Sequence, residues 1–136
     1  MKRGVKGALI ALAALGADIA AAQTPQELQR GYEAAARQEA SAFSGFSAQR
    51  GEAFFHSAHG SDWSCATCHT RNPMTSGKHT VTGRQIAPLA PAANSERFTD
   101  AAKAEKWFKR NCNDVLHRAC TATEKGDVIA YLMSLR

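Results

Sequence analysis

The sequence predicts an all-α fold, and three observations support this prediction. Apolar residues recur at helical spacing in four segments of the 136-residue chain. No segment shows the regular apolar–polar alternation of a half-buried strand. Residues that favour helix N-termini stand at the start of three of the four segments. A chain of this length forms one domain with, at most, a short appendage.

Residues 1–22 have the organisation of a secretory signal peptide. A basic start is followed by an apolar run from Ala8 to Leu15, and small residues stand at Ala20 and Ala22. Gln23 is then the expected N-terminus of the mature chain. The apolar run is too short to span a bilayer comfortably, so we expect no membrane-spanning segment after cleavage. The prediction is an exported, periplasmic protein.

The charge balance is mildly basic. Seventeen Lys and Arg residues against twelve Asp and Glu residues give a formal net charge of +5. Removal of residues 1–22 leaves fourteen basic and eleven acidic residues. This excess is typical of a solvated surface, at most biased towards an acidic redox partner, and it gives no support to nucleic-acid binding.

The mature chain starts with a predicted helix from Pro25 to about Gln38, with Thr24 as its N-cap. This helix makes up an N-terminal extension, residues 23–46, ahead of the main domain, residues 47–136. A Ser- and Gly-containing break leads into a second helix from about Ser47. Gly51 and Phe55 share one face of that helix.

The stretch Cys65-Ala66-Thr67-Cys68-His69 follows the second helix. Its spacing is that of a c-type haem attachment site. Two thiols separated by two residues can form thioethers with the two vinyl groups on one edge of the porphyrin. The adjacent imidazole can then bind the iron as proximal ligand. The sequence therefore predicts one covalently attached haem c, held by Cys65, Cys68 and His69.

Two other kinds of site compete for the same motif. A thioredoxin-like redox pair should open a helix within a βαβ unit, and no strand pattern surrounds this one. A zinc site would need two more ligands, and Cys112 and Cys120 are too far apart to form a second CxxC pair. Haem attachment is therefore the favoured interpretation.

Residues 70–94 are predicted to form a long irregular loop that wraps the haem. A third helix opens near Phe98, with Thr99 or Asp100 as its cap, and places Trp107 and Phe108 on one face. A fourth helix extends from about Ala122 to Leu135 after a capping box that starts at Thr121. Its buried stripe is predicted to comprise Val128, Ile129, Leu132 and Met133.

The helix with Gly51, the CxxCH motif and a final helix with Ala130-Tyr131-Leu132 together resemble class I cytochrome c. The resemblance implies a class I cytochrome c fold with an extra N-terminal helix, in which Gly51 contacts Tyr131 where two helices cross. Ordinary class I cytochromes present a methionine to the iron shortly before the last helix. The corresponding stretch here, residues 110–120, contains none.

The chain is more similar to the high-spin haem proteins of the SHP family and to their relative cytochrome c″. The matching stretches are Gly31-Tyr32-Glu33-Ala34-Ala35-Ala36, Ile86-Ala87-Pro88-Leu89-Ala90-Pro91, Arg97-Phe98-Thr99-Asp100, Glu105-Lys106-Trp107 and Arg110-Asn111-Cys112-Asn113. In the SHP family an asparagine oxygen is the distal haem ligand, and the cysteine after it closes a small disulfide. The resemblance thus implies Asn111 as distal iron ligand and a Cys112–Cys120 bridge. Cytochrome c″ has histidine at the ligand position.

The residues themselves leave alternatives open at the distal site. Asn111 could be a helix C-cap instead of a ligand, and Asn113 and His117 are competing candidate ligands. An even number of cysteines in an exported protein supports the implied bridge.

The resemblance also implies neighbours for the haem. A backbone carbonyl near Pro88 is expected to accept the Nδ1 proton of His69. Arg84, Arg110 and Trp107 are candidates for contact with the haem propionates.

The implied function is that of an exported monohaem cytochrome that takes part in electron transport and binds a small diatomic ligand, O₂ or NO. Ferrous iron binds a neutral amide oxygen less well than ferric iron, so reduction should release Asn111 and open the sixth position. The family's partners are a dihaem cytochrome c and a membrane cytochrome b. The alternatives are a conventional electron carrier with a permanently bound distal ligand, or a haem oxidoreductase acting on O₂, NO or peroxide. We rank the enzyme last because the sequence shows no clear distal acid–base pair.

Overall fold

The computed structural model describes residues 22–60 and 62–136. The predicted signal peptide lies outside this part of the chain, apart from Ala22. The described residues form α1 (Pro25–Gly31), α2 (Glu33–Glu39), α3 (Ala48–His56), α4 (Cys65–His69), β1 (Gly77–Lys78), β2 (Gln85–Ile86), α5 (Ala101–Leu116) and α6 (Ala122–Ser134). The predicted all-α class is confirmed. None of the helices in these two ranges has both the length and the apolarity needed to cross a membrane.

The N-terminal extension consists of two helices, where the sequence predicted one. Thr24 is the N-cap of α1, as predicted, and forms a capping box with Glu27. The helix is interrupted at Tyr32, whose backbone N–H donates to the carbonyl of Gln29 three residues back. Gly31 precedes this point, and glycine destabilises a helix interior by about 0.5–1 kcal/mol relative to alanine.

Helix α6 lies at the centre of the core. Its residues Val128, Ile129 and Leu132 are buried, which confirms the predicted stripe, and Met133 packs beside them. One side of α6 packs against Phe55 of α3. The other side packs against Leu28 of α1 and Ala104 of α5. Three helices from separate parts of the chain are therefore positioned by one helix.

The crossing of α3 and α6 depends on Gly51. A Cβ atom at this position would lie 1.9 Å from the carbonyl oxygen of Asp127 and 3.0 Å from Cβ of Tyr131. No side chain larger than hydrogen fits between the two backbones. The predicted contact between Gly51 and Tyr131 is thus confirmed.

A buried carboxylate fixes the same crossing, and no local sequence pattern predicts it. Asp127 is 4% exposed and accepts hydrogen bonds from the backbone N–H of Ser47 (2.7 Å) and from two guanidinium nitrogens of Arg50 (2.7 and 2.8 Å). A buried charge needs such partners, because desolvation otherwise makes it costly. These bonds join the start of α3 to the middle of α6.

The loop between α4 and α5 is mostly irregular, as predicted, but it contains a short antiparallel ribbon. Gly77 pairs with Ile86 and Lys78 with Gln85. Periodicity over two residues per strand is too short to give a sequence signal. Asp100 is the N-cap of α5, and its side chain accepts from the backbone N–H of Lys103.

Candidate functional site

The CxxCH motif forms the short helix α4. Ser64 and Thr67 start the turn: the backbone N–H of Ser64 donates to Thr67 Oγ1 (2.9 Å), and that of Thr67 donates to the Ser64 carbonyl (3.1 Å). Thr70 ends the helix directly after the motif with a positive φ of 63°. Cys65 and Cys68 are three residues apart on a helix, so their side chains project to the same side. Both are free thiols and half-buried.

His69 is the last residue of α4, and its ring is largely shielded from water. Its Nδ1 atom is buried and has no hydrogen-bond partner among the described residues. Burial and the nearby charge of Arg97 lower the pKa of His69 to about 4. The imidazole is therefore neutral at neutral pH, which is the form that binds a metal.

The thiol chemistry argues against a redox pair. Burial raises the pKa of Cys65 to about 11, whereas a reactive cysteine needs a lowered thiol pKa. The pair also lacks a βαβ setting in the described structure, whose one sheet is the two-stranded ribbon.

The zinc alternative also fails on the residues described. Cys112 and Cys120 are bonded to each other and cannot serve as ligands. Residues 22–60 and 62–136 contain no group of three or more His, Cys, Asp or Glu that could hold a metal ion.

The residues present fit a haem. Two free thiols on one side of a helical turn can form two thioethers. The buried imidazole of His69 could bind the haem iron through one ring nitrogen and donate a hydrogen bond from the other. When bound, a haem supplies an iron that can be oxidised or reduced by one electron and can accept an axial ligand.

Side-chain hydrogen bonds to backbone carbonyl groups hold the loop after the motif in place. The Pro88 carbonyl accepts from Arg97 Nε (2.9 Å) and Asn94 Nδ2 (3.3 Å), and the Ala87 carbonyl accepts from Arg97 (2.7 Å). The expected hydrogen bond from His69 Nδ1 to a carbonyl near Pro88 is absent from this structure. Arg97 belongs to one of the matched family stretches, but no sequence signal indicated that it would donate to these carbonyls.

Gly77 brings the ribbon against the haem motif. A Cβ atom at Gly77 would lie 2.0 Å from the carbonyl oxygen of Cys68 and 3.0 Å from Cα of His69. Thr80, further along the ribbon, has its hydroxyl 3.2 Å from Sγ of Cys68. The ribbon therefore packs directly on the end of the motif that carries the second cysteine and the histidine.

We expect Gly77→Ala to lower the yield of haem-loaded protein several-fold, because the ribbon must move away from Cys68 and His69. Overpacking of this kind costs about 1–3 kcal/mol or more. The ratio of haem absorbance to protein in purified samples measures the effect. Ser76→Ala, at the exposed neighbouring position, is the matched control and should load normally. Equal loading of both variants would show that the close contact is dispensable.

The structure separates the three candidate distal residues. Asn111 lies inside α5, more than one turn before the helix ends, and the left-handed C-cap is His117 with φ of 56°. The interpretation of Asn111 as a C-cap is therefore wrong. Asn111 is half-buried, while Asn113 and His117 are exposed. Asn111 shares helical spacing with the inward-facing Phe108 and Val115, and no hydrogen bond to its side chain is found within the described residues.

The disulfide implied by the family resemblance is present. Cys112 in α5 is bonded to Cys120, which lies just before α6, with the two Cα atoms 5.6 Å apart. Both cysteines are buried. The bridge holds the segment that follows Asn111 and includes His117.

Replacement of both bridge cysteines by serine should lower the free energy of unfolding by about 2–3 kcal/mol, the effect expected for closing so short a loop. Denaturant titration with and without a thiol reductant measures it. The reductant should destabilise the wild-type protein to a similar extent and leave the variant unchanged. A variant as stable as the oxidised wild-type protein would contradict this expectation.

None of the three side chains expected near the propionates makes a hydrogen bond, ion pair or ring contact with α4 in the described residues. Trp107 is 42% exposed, and the guanidinium of Arg110 lies 5.8 Å from its ring centre, a cation–π arrangement on the outer side of α5. Arg84 is exposed on the ribbon. Propionate contact by these residues remains a prediction.

Known proteins are similar to this chain in sequence. Residues 41–132 match a protein family described as "Domain of unknown function (DUF1924)". The chain is 45% identical over 121 residues to the cytochrome c-type protein SHP of Cereibacter sphaeroides, with 86% of this chain and 88% of that protein covered. It is 48% identical over 80 residues to cytochrome c″ of Methylophilus methylotrophus, with 59% of this chain and 56% of that protein covered.

Solved structures of the same two proteins match the fold. The structure of oxidised SHP, described as an oxygen-binding cytochrome c, matches with a TM-score of 0.73 and 45% identity over 82% of this chain and 97% of that chain. Oxidised cytochrome c″ from Methylophilus methylotrophus also gives a TM-score of 0.73, with 38% identity over 82% of this chain and 94% of that chain. The predicted class I cytochrome c fold and haem c cofactor are thus confirmed. The chain belongs to the family of SHP and cytochrome c″, which are c-type cytochromes.

Proposed function

We propose that the protein is an exported monohaem cytochrome that takes part in electron transfer and binds O₂ or NO once reduction has released Asn111. Cys65 and Cys68 form the thioethers to the haem, and His69 is its proximal ligand. Asn111 binds the oxidised iron through its side-chain oxygen and leaves the reduced iron.

The position of Asn111 carries this proposal. It stands on the inner side of α5, half-buried, with no hydrogen-bond partner for its amide among the described residues. Its side-chain oxygen could therefore bind an iron without first breaking a hydrogen bond within the protein. Asn113 and His117 are exposed to solvent, so Asn111 is the least exposed of the three candidate ligands.

The chemistry of the two oxidation states supports release of Asn111. Ferric iron is a hard cation and accepts a neutral amide oxygen, whereas ferrous iron is softer and binds such an oxygen poorly. Asn111 is therefore a ligand that protects the oxidised iron and gives way after reduction. The Cys112–Cys120 bridge would hold the following segment in place while the side chain swings away.

The relatives support the same proposal. SHP is described as an oxygen-binding cytochrome c. The solution structure of Methylophilus methylotrophus cytochrome c″, which matches this chain with a TM-score of 0.70, is described as giving insight into haem-ligand detachment. A detachable haem ligand therefore agrees with the description of cytochrome c″, and binding of a diatomic ligand agrees with that of SHP.

The proposed location follows from the predicted signal peptide, and the proposed partners follow from the family resemblance. Residues 1–22 would direct the chain to the periplasm, where it would act as a soluble protein. The expected redox partners are a dihaem cytochrome c and a membrane cytochrome b. A conventional carrier whose distal ligand never leaves is the competing function.

Absorption spectra of the oxidised and reduced holoprotein, with and without carbon monoxide, test the proposal. A high-spin ferrous spectrum that shifts when the gas is added is the expected result. A sharp low-spin ferrous spectrum that does not respond to the gas would contradict it and leave the conventional carrier.

A further inference from the structure

Charges are unevenly distributed around the haem motif. Between Asp62 and Glu96 the chain has no carboxylate side chain, and its three cations in this interval are Arg71, Lys78 and Arg84. The whole chain contains twelve acidic residues, so this stretch is set apart from the rest. It comprises α4 and the β1–β2 ribbon. Glu52 of α3 lines the same pocket as Arg71, so the two cations of the ribbon, Lys78 and Arg84, are the ones that matter here.

The ribbon presents that charge next to the haem attachment site. Its inner end packs on the Cys68 carbonyl at Gly77, and Thr80 is within contact distance of Cys68 Sγ through its hydroxyl (3.2 Å) and its backbone nitrogen (3.5 Å). The turn is closed by two backbone hydrogen bonds of 2.8 Å, from His79 to Arg84 and from Gly83 to His79. The tip is therefore held in a defined position beside the second thioether cysteine.

An apolar side chain stands at this tip. Val81 is 71% exposed, and it is the more exposed of the two large apolar residues that lie on the surface of the described part of the chain. Lys78 and Arg84, both exposed, flank it along the ribbon. An apolar centre with a charged rim is the usual anatomy of a protein–protein interface.

We infer that the tip of the β1–β2 ribbon is the docking surface for an acidic redox protein. Val81 would enter an apolar contact, while Lys78 and Arg84 would face carboxylates of the partner. The inference rests on the proposed function, because it requires a redox-active haem on Cys68. In the exchange, the partner's reduced cofactor loses one electron and the haem iron gains it.

The first experiment tests the local field in the holoprotein. The reduced protein is mixed with an anionic oxidant, hexacyanoferrate(III), and separately with a cationic oxidant, tris(phenanthroline)cobalt(III). Lys78→Gln combined with Arg84→Gln should slow the anionic reaction about three- to tenfold at low ionic strength and speed the cationic one, with both effects fading in high salt. Arg30→Gln combined with Lys103→Gln removes the same charge from exposed sites on α1 and α5 and should change neither rate by more than about twofold.

The second experiment tests docking. The holoprotein is studied by voltammetry on a gold electrode coated with a mixture of carboxylate- and methyl-terminated thiols. This film takes the place of the partner, because it presents carboxylates with apolar methyl groups among them. Val81→Ser should lower the interfacial electron-transfer rate on this film and leave it unchanged on a film with carboxylates alone. The variant at Lys78 and Arg84 should lose the response on both films.

The outcomes separate this inference from the proposed function. Equal effects of the ribbon pair and the control pair would mean that only net charge matters, and the docking surface would be rejected. A shifted haem spectrum in Val81→Ser would show that Val81 packs on the haem, which also overturns the inference. A wild-type protein without a c-type haem spectrum would instead refute the proposed function.

Discussion

Replacement of Gly51 by alanine should lower the free energy of unfolding by about 3 kcal/mol or more, the upper range for overpacking. The added methyl group would lie 1.9 Å from the Asp127 carbonyl oxygen, and that atom belongs to the backbone of α6, which cannot rotate away as a side chain can. The two helices must separate, and this disturbs the hydrogen bonds between Asp127 and Arg50. Denaturant unfolding of matched samples measures the change.

Gly31→Ala is the control for this prediction. Gly31 is also helical, but a Cβ atom there meets nothing within 4 Å. Alanine at this position should leave stability unchanged or raise it by about 0.5–1 kcal/mol, the ordinary helix preference over glycine. Similar destabilisation by both substitutions would show that loss of a glycine, and not the close crossing, is responsible.

The helix starts could be predicted from the sequence because their signals are local. Thr24, Asp100 and Thr121 each bond to a backbone N–H three residues later, so a short stretch of chain contains the whole interaction. The apolar stripe of α6 is equally local, since burial follows the 3.6-residue period. The CxxCH motif belongs to the same class, because its chemistry depends on five consecutive residues.

Interactions between distant parts of the chain could not be predicted in this way. Glu105 of α5 accepts from the hydroxyl of Tyr32 (2.5 Å) and from Lys125 of α6 (2.9 Å), and so ties the N-terminal extension to two later helices. Asp127 with Arg50 is a second case. Each pair is fixed by tertiary packing, and polar residues at helical positions do not indicate which partner they meet.

The distal site could be predicted only in part from the sequence. The residues supplied three candidates, and their exposure depends on where α5 ends, which its apolar spacing did not show. Once α5 is seen to continue to Leu116, Asn111 falls on its inner side, while Asn113 falls on its outer side. Element ends are set by capping and by tertiary contacts, here the left-handed His117 and the adjacent bridge.

Asn111→Leu should change ligand binding in one oxidation state only. If Asn111 binds the oxidised iron as proposed, imidazole must displace it, so only the fraction with a free sixth position binds. Leucine has a similar size and cannot ligate, and imidazole affinity should therefore rise about tenfold or more, equivalent to about 1.4 kcal/mol. In the reduced protein Asn111 would already have left the iron under the same proposal, so carbon monoxide affinity should change little. Spectral titrations of both states measure the two affinities.

Asn113→Leu, two residues further along the same helix and exposed, should change neither affinity, and His117→Leu provides the same test at the C-cap. A gain in imidazole affinity for His117→Leu, with none for Asn111→Leu, would assign ligation to His117. Equal changes in both oxidation states of Asn111→Leu would mean that the residue shapes the pocket without binding the iron. Only a change confined to the oxidised state distinguishes a redox-released ligand from a neighbour of the haem, because every other role of the side chain is present in both states.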